Sequence, residues 1–249
     1  MSAVNMIGRV ALVTGAAGTM GAATAVRLAE DGHRVALVDI AADRVSALAK
    51  QIGDGSVPIA VDLSTAEGAA QAIAATERAL GPVDILVNNA GILSNNKIAE
   101  TTPEEWHRVL GINLDGAFHL SRAVLPGMKA RRFGRIVNTC SYAMKSGGLT
   151  AGTAYTVSKG ALQALTFSLA REFAAFGVTV NGIAPAYVKT PMVTEALTEA
   201  QRQALISHIP VGRFCEPEEF AHCVAFFVSP LAGFITGEIL DLNGGLQFD

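Results

Sequence analysis

Seven short apolar runs separated by longer alanine-rich stretches are the feature that most restricts the fold of this chain. The runs are continuously apolar and do not alternate, which is typical of strands buried on both faces of a parallel sheet. The predicted strands are Arg9–Thr14, Val35–Asp39, Val57–Asp62, Ile85–Asn88, Gly134–Asn138, Val178–Asn181 and Glu238–Asp241. The predicted helices are Gly21–Asp31, Ala42–Gln51, Thr65–Leu80, Pro103–Met128, Tyr155–Phe176 and Pro217–Val228. This rhythm predicts an α/β fold, a doubly wound parallel sheet of about seven strands with helices on both faces.

The length of the chain suits one sizeable core, since 249 residues with 50% hydrophobic content can bury a single sheet of this kind. No linker, repeat or low-complexity stretch divides the sequence, so we expect one domain over residues 1–249. The segment Thr190–Ile209 departs from the rhythm between the sixth strand and the last helix. We expect it to cover the substrate at the carboxyl edge of the sheet, where such folds bind ligands.

The charge balance argues against a nucleic-acid-binding surface, because 19 Lys+Arg stand against 22 Asp+Glu and no long basic run occurs. Neither a signal-peptide pattern nor an apolar stretch of membrane-spanning length is present. We therefore expect a cytoplasmic protein without nucleic-acid or membrane partners. The cysteines Cys140, Cys215 and Cys223 lack metal-ligand spacing, as do the histidines, so we expect reduced thiols and no metal site.

A glycine-rich turn, Thr14–Gly21, follows the first predicted strand and opens a helix. Small residues there let the backbone approach a pyrophosphate, and the helix N-terminus presents unpaired N–H groups to it. Such a turn is a weak signal alone, but its place between a first strand and a helix is the expected one. The turn therefore predicts a dinucleotide-binding site.

Asp39 ends the second predicted strand, roughly 20 residues after the turn, where a carboxylate can accept hydrogen bonds from both ribose hydroxyls of NAD. The same carboxylate would repel the 2′-phosphate of NADP, and the next residue is Ile40. We therefore expect NAD as the cofactor and consider NADP the weaker candidate. Asp62, at the end of the third strand, could similarly hydrogen-bond the adenine.

Tyr155 and Lys159 are four residues apart, which places both side chains on one face of a helix. An ammonium beside a phenol favours the phenolate, so Tyr155 could serve as an acid or base near neutral pH. A tyrosine and a lysine at this spacing also occur by chance on many helices. The pair alone does not establish a catalytic site.

Taken together, these motifs resemble those of the classical short-chain dehydrogenase/reductase family, a Rossmann-fold family, and the resemblance extends from Thr14 to Gly245. The matching pieces stand in the family's order. They are Thr14–Gly21, Asp39, Asn88–Gly91, Asn113, Ser141, Tyr155 with Lys159, Pro185 with Thr190, and Asp241–Gly245. As a combination they are far more specific than any one of them.

The resemblance implies four catalytic residues: Asn113, Ser141, Tyr155 and Lys159. Ser141 would polarise the substrate oxygen, and Tyr155 would exchange the proton with it. Lys159 would bind the nicotinamide ribose and stabilise the phenolate. Asn113 would hold a water that links Lys159 to solvent.

The resemblance also implies the residues that contact the cofactor. The backbone of Val188 and the side chain of Thr190 would hold the carboxamide. The full expected set is Gly15, Gly18, Thr19, Met20, Gly21, Asp39, Ile40, Asp62, Leu63, Asn89, Ala90, Gly91, Tyr155, Lys159, Pro185, Val188, Thr190 and Met192.

The sequence departs from the family pattern at three places. Thr19 stands at the usual middle glycine of the loop, and we expect NAD to bind with a local backbone shift toward Gly18. Ala186 replaces a glycine, which should be tolerated if its φ is negative. Ser141 precedes Tyr155 by one residue more than the commonest spacing, and the loop between them should absorb the difference.

The expected substrate lining is mainly apolar or small. It comprises Leu93, Ser94, Ala143, Met144, Gly148, Leu149, Tyr187 and Met192. This lining suits a neutral or weakly polar secondary alcohol or its ketone. Lys145 is the nearby cation, and it could meet an acidic substrate or point to water.

We therefore expect an NAD-dependent oxidoreductase that interconverts a secondary alcohol (a polyol, sugar, hydroxy acid, or cyclic or aryl alcohol) and its ketone, mainly by oxidation. One alternative is a 3-oxoacyl-carrier or 3-oxoacyl-CoA reductase, disfavoured by Asp39 because such reductases typically use NADPH. A non-enzymatic alternative is an NAD-sensing or scaffold protein on the same fold. Family members are commonly tetramers, so a homotetramer is expected, with a dimer as the alternative.

Overall fold

The computed structural model describes residues 8–191, 195 and 198–248. Its seven strands form one parallel sheet in the order β3-β2-β1-β4-β5-β6-β7. The strands are β1 (Val10–Thr14), β2 (Arg34–Asp39), β3 (Ser56–Ala60), β4 (Ile85–Asn88), β5 (Gly134–Thr139), β6 (Val178–Pro185) and β7 (Ile239–Leu242). The predicted doubly wound sheet is confirmed. Because β1 pairs with both β2 and β4, the strand order reverses at β1, and a crevice opens there at the carboxyl edge.

Helices connect the strands. They are α1 (Thr19–Glu30), α2 (Ala42–Ile52), α3 (Ala66–Leu80), α4 (Pro103–Leu110), α5 (Gly116–Arg131), α6 (Ala143–Ser146), α7 (Thr153–Phe173), α8 (Glu199–Ile206) and α9 (Pro217–Val228). Within the described part of the chain, no helix has the length and apolarity needed to cross a membrane.

Two hydrophobic cores cover the two faces of the sheet. Leu12 belongs to the core built with α3, α5 and α7, while its neighbour Val13 belongs to the core built with α1, α2 and α9. Successive strand residues point to opposite faces, so both must be apolar when helices cover both sides. This explains why the strands read as continuous apolar runs.

Several element boundaries differ from the predicted ones. The stretch Pro103–Met128, predicted as one helix, is α4 and α5 joined by the π-helical turn Gly111–Asp115. A π turn adds one residue to a helical turn and leaves little trace in the hydrophobic period. β6 continues to Pro185, since residues after Asn181 pair with β7. β3 ends at Ala60, so Asp62 lies in the loop beyond the strand.

Two short helices were not predicted. α6 has four residues, too few for a periodic pattern. α8 lies within the covering segment and begins with a capping box in which Thr198 and Gln201 bond each other's backbone. That Thr-x-x-Gln pattern is a recognisable helix start, so α8 could have been found from the sequence.

The tight turn from β1 into α1 depends on Gly21. A Cβ at this position would lie 2.1 Å from the carbonyl oxygen of Gly15 and 2.8 Å from Nδ2 of Asn89. Gly15 itself has φ +66, in the left-handed region that glycine adopts without strain. The absence of side chains at both positions lets α1 begin directly behind the end of β1.

We expect Gly21→Ala to destabilise the fold by about 1–3 kcal/mol, because the added methyl group overpacks against backbone that cannot move aside. Urea unfolding of the variant measures the change. Gly160→Ala is the matched control, since a Cβ there would meet no atom within 4 Å. In this helix position alanine should stabilise by about 0.5–1 kcal/mol. Equal stability of Gly21→Ala and the wild type would contradict the close packing of Gly21 against the backbone of Gly15.

Candidate active site

A cavity of about 1170 Å³ opens at the carboxyl edge of the sheet. Residues at the ends of six strands line it: Gly15 after β1, Asp39 on β2, Asp62 after β3, Asn89 after β4, Ser141 after β5 and Pro185 on β6. α8 closes one side. The cavity therefore lies where a doubly wound sheet binds its ligands.

Most predicted site residues line this one cavity. They are Gly15, Gly18, Thr19, Met20, Asp39, Ile40, Asp62, Leu63, Asn89, Ala90, Gly91, Ser141, Tyr155, Lys159, Pro185, Val188 and Thr190. Gly21 and Asn113 are buried beside it and do not line it. Met192 lies outside the described residues.

The hydroxyl of Thr14 fixes the crevice between β1 and β4. Its oxygen accepts hydrogen bonds from the N–H groups of Asn89 and Ala90, each at 2.9 Å, and donates to the carbonyl of Val87 at 3.2 Å. Nδ2 of Asn89 donates in turn to the carbonyl of Thr14 at 3.0 Å. Asn89 thus holds the glycine loop against the turn after β4.

The start of α1 is suited to a pyrophosphate. Gly18 is the N-cap with φ −82, and the first intrahelical bond runs from the N–H of Ala22 to its carbonyl at 2.8 Å. The N–H groups of Thr19 and Met20 therefore have no acceptor within the helix. Thr19, which stands at the usual middle glycine of the loop, is the first helical residue and part of the cavity wall. These features fit an anion at the positive end of the helix dipole.

The carboxylate of Asp39 is held in place by backbone donors. One oxygen accepts from the N–H of Ala17 and the other from the N–H of Ala41, both at 3.1 Å. Arg44, in the first turn of α2, lines the same end of the cavity and was not predicted. A carboxylate, Asp39, and a guanidinium, Arg44, therefore both border the place expected for the adenosine ribose.

Asp62 lies farther along the same wall, in the loop after β3. One of its oxygens accepts the N–H of Ser64 at 2.9 Å, and this hydrogen bond lowers the pKa of the Asp62 carboxyl. The carboxylate is exposed and lines the cavity. Its predicted contact with adenine stays a prediction.

Lys159 is buried between α7 and β5. Its ammonium donates to the carbonyl of Thr139 at 2.6 Å and lies 5.7 Å from the ring centre of Tyr155. A buried ammonium needs such partners, because an uncompensated buried charge is costly. The spacing of four residues therefore brings the phenol and the ammonium together on one face of α7.

Ser141 follows β5 and opens the loop before α6. Its Oγ accepts a hydrogen bond from the N–H of Ala143 at 3.1 Å. An oxygen held in this way keeps its own hydrogen available for donation to a substrate oxygen. Ser141 and Tyr155 both border the cavity.

Asn113 lies in the π-helical turn, and both polar atoms of its side-chain amide form hydrogen bonds. Its amide donates to the carbonyl of Ile92 and to Oγ of Ser158, both at 3.0 Å. Its oxygen accepts the N–H of Ile92 at 2.8 Å. Ser158 donates to the carbonyl of Tyr155 at 2.7 Å, a link that was not predicted. The Asn113 oxygen and the Lys159 ammonium both lie close to Gly91. A Cβ added there would be 3.3 Å from the oxygen and 3.4 Å from the ammonium, so the two side chains border the same small space.

The substrate end of the cavity agrees only partly with the predicted lining. Leu93, Ala143 and Tyr187 line it, whereas Ser94, Met144, Gly148 and Leu149 do not, and Met192 lies outside the described residues. Ser94 is buried and donates to the carboxylate of Glu105 instead. Leu205 in α8 and His208 just after it also line the cavity, and neither was among the residues predicted to do so.

The prediction for Lys145 was wrong in both of its forms. The ammonium forms an ion pair with Asp241 on β7 at 2.7 Å, and both side chains are largely buried. It therefore has a carboxylate of the chain itself as a partner. The two residues are 96 positions apart in sequence, and no local pattern connects them.

Known proteins match nearly all of the chain. The family model described as enoyl-(acyl carrier protein) reductase matches residues 15–247. The acetoacetyl-CoA reductase of Rhizobium meliloti is 42% identical over 240 residues, 96% of this chain and 99% of the relative. The chain belongs to the classical short-chain dehydrogenase/reductase family.

Other members of the family are nearly as similar. The 3-oxoacyl-(acyl-carrier-protein) reductase FabG of Vibrio cholerae is 41% identical over 243 residues, 97% of this chain and 98% of the relative. The enzyme of the same name from Escherichia coli is 36% identical over 244 residues, with 97% and 98% covered. The chain is thus an oxidoreductase of this family, which binds a nicotinamide cofactor.

Ala186 follows Pro185 at a position where the family usually has glycine. Its φ is not positive, so the alanine is accommodated, as predicted.

Cys140 precedes Ser141 and is almost fully buried. Burial raises the pKa of its thiol to about 11, although the charge of Lys159 opposes the shift. At pH 8 only about one thiol in a thousand would then be the reactive thiolate. We expect Cys140 to stay unmodified by iodoacetamide in the native protein, as mass spectrometry of the peptides can measure. The urea-unfolded chain is the control and should be labelled. Rapid labelling of Cys140 in the native protein would show that the thiol is neither buried nor raised in pKa.

Proposed function

We propose that the chain reduces the 3-oxo group of a 3-oxoacyl thioester to a hydroxyl group. The observation that carries the proposal is the continuous cavity, which joins the glycine loop to Ser141, Tyr155 and Lys159. The relatives support this substrate class, since their names are acetoacetyl-CoA reductase and 3-oxoacyl-(acyl-carrier-protein) reductase. Oxidation of a free secondary alcohol, the activity expected first, becomes the second candidate.

The chemistry needs one hydride and one proton at the carbonyl. A bound nicotinamide ring would supply the hydride to the carbonyl carbon. Ser141 donates a hydrogen bond to the carbonyl oxygen, where negative charge develops. Tyr155 gives its phenolic proton to that oxygen, completing the hydroxyl group. The Lys159 ammonium stabilises the phenolate that remains. Oxidation of an alcohol runs through the same steps in reverse.

We propose NAD(H) as the preferred cofactor. The fixed carboxylate of Asp39 supports this choice, since it can accept two ribose hydroxyls and repels a 2′-phosphate. Arg44 at the same end of the cavity would favour a phosphate, which keeps NADP(H) as the alternative. Asp39 is also the observation that favours the second candidate function, because NAD suits alcohol oxidation.

A turnover assay tests both proposals together. Acetoacetyl-CoA is offered with NADH or NADPH, and a panel of secondary alcohols is offered with NAD or NADP. We expect acetoacetyl-CoA to be reduced with the higher kcat/KM, and NADH to be preferred. Tyr155→Phe should lower kcat by about 10²–10⁴-fold, because it removes the proton donor.

Asp39→Ala is the matched variant for the cofactor. It should raise the ratio of NADPH use to NADH use, because the repelling carboxylate is gone. A wild-type preference for NADPH would show that the NAD(H) proposal is wrong. Undiminished turnover in Tyr155→Phe would refute the mechanism, and faster turnover of an alcohol would favour the second candidate. Binding without any turnover would indicate the non-enzymatic alternative.

We also propose a homotetramer. Large apolar side chains are exposed on α5 and α7, at Phe118 and Phe167, and near the C-terminus, at Leu231 and Phe234. Two separate apolar surfaces suit an assembly with two kinds of interface. Light scattering should give a mass about four times that of the 25.8 kDa chain. Phe167→Glu should reduce that mass, and a monomeric wild type would contradict the proposal.

A further inference from the structure

We propose that the ion pair between Lys145 and Asp241 positions Ser141 for catalysis. The inference rests on the proposed function, in which Ser141 holds the substrate oxygen. The ammonium and carboxylate are 2.7 Å apart, and the two side chains keep only 12% and 21% of their surface exposed. Neither residue is among those lining the cavity, so the pair acts through other groups.

The pair anchors a helix that cannot hold itself in place. α6 has four residues, and a single helical turn gains too little from its own hydrogen bonds to be stable alone. Its position is set by tertiary contacts. The N–H of Tyr142, just before α6, donates to the carbonyl of Pro185 on β6 at 3.0 Å. Lys145, within α6, reaches across to Asp241 on β7.

α6 in turn sets the orientation of Ser141. Ala143 is its first residue, and the N–H of Ala143 donates to Oγ of Ser141 at 3.1 Å. A displacement of α6 would move this donor and turn the hydroxyl. Small misplacements of a positioned group can lower a rate by as much as about 10²-fold. The ion pair therefore controls Ser141 through α6.

The carboxylate of Asp241 depends on Lys145. Its second oxygen is buried and has no hydrogen-bond partner among the described residues. Removal of the ammonium alone leaves this charge uncompensated, which destabilises a fold strongly. Replacement of both residues by apolar ones avoids that penalty, although the anchor is still lost. Stability and catalysis should therefore respond differently to the single and double replacements.

A cycle with Ser141 separates positioning from general destabilisation. Lys145→Met should lower kcat about 10–100-fold in the wild-type background, with an unchanged dinucleotide Kd. In the Ser141→Ala background the same change should lower kcat less than about two-fold, because the group that it misplaces is absent. Lys145→Arg should retain most activity, and Lys145→Met/Asp241→Leu should recover stability but not kcat. Lys50→Met, on the exposed end of α2, is the control.

Amide hydrogen exchange gives a readout that needs no turnover. Lys145→Met should speed exchange at Ala143, whose N–H is bonded to Ser141, and Lys145→Arg should restore slow exchange. Unchanged kcat and unchanged exchange in Lys145→Met would overturn the proposal. An equal loss of kcat in both backgrounds would overturn it as well. If the wild type turns over no substrate, the proposed function fails, and the exchange rates still decide whether the pair holds Ala143 against Ser141.

Discussion

The hydrogen bonds of Thr14 are the contacts on which the rest of the site depends. They join the end of β1 to the turn after β4, where the strand order reverses. Parallel strands on either side of such a point lead their connections to opposite faces, which opens a crevice. Because the N–H groups of Asn89 and Ala90 bond directly to Thr14, the glycine loop and the turn after β4 keep a fixed separation. The dinucleotide end and the substrate end thus belong to one continuous cavity.

Of the groups proposed for catalysis, Asn113, Tyr155 and Lys159 lie on helical elements, whereas Ser141 lies in the loop after β5. Residues of α8 also line the cavity. Lys159 bonds β5 through Thr139, and Asn113 bonds the turn after β4 through Ile92. Ser158 connects Asn113 to the backbone of α7. These bonds satisfy buried polar groups that would otherwise be costly, and they fix the helix that carries Tyr155. The same contacts therefore serve stability and orientation.

Cofactor choice and substrate choice are located at opposite ends of the cavity. Asp39 and Arg44 border the adenosine end, while Leu93, Tyr187 and Leu205 border the other. Because these two groups of residues lie at separate ends, an acid that favours NAD and a lining that suits a reductase substrate can occur in the same protein. Fold and family membership alone do not decide between these combinations.

The sequence by itself determined the sheet, because strands covered on both faces must be apolar throughout. It also determined most of the cavity wall, since Asp39, Ser141, Tyr155 and Lys159 follow strand ends or share a helix face. Only the tertiary structure decided the π-helical turn around Asn113, the place of Arg44 and the pairing of Lys145 with Asp241. The ion pair joins residues 96 positions apart in the chain, and all three features depend on how helices and strands pack. Periodicity and local motifs carry no information about that packing.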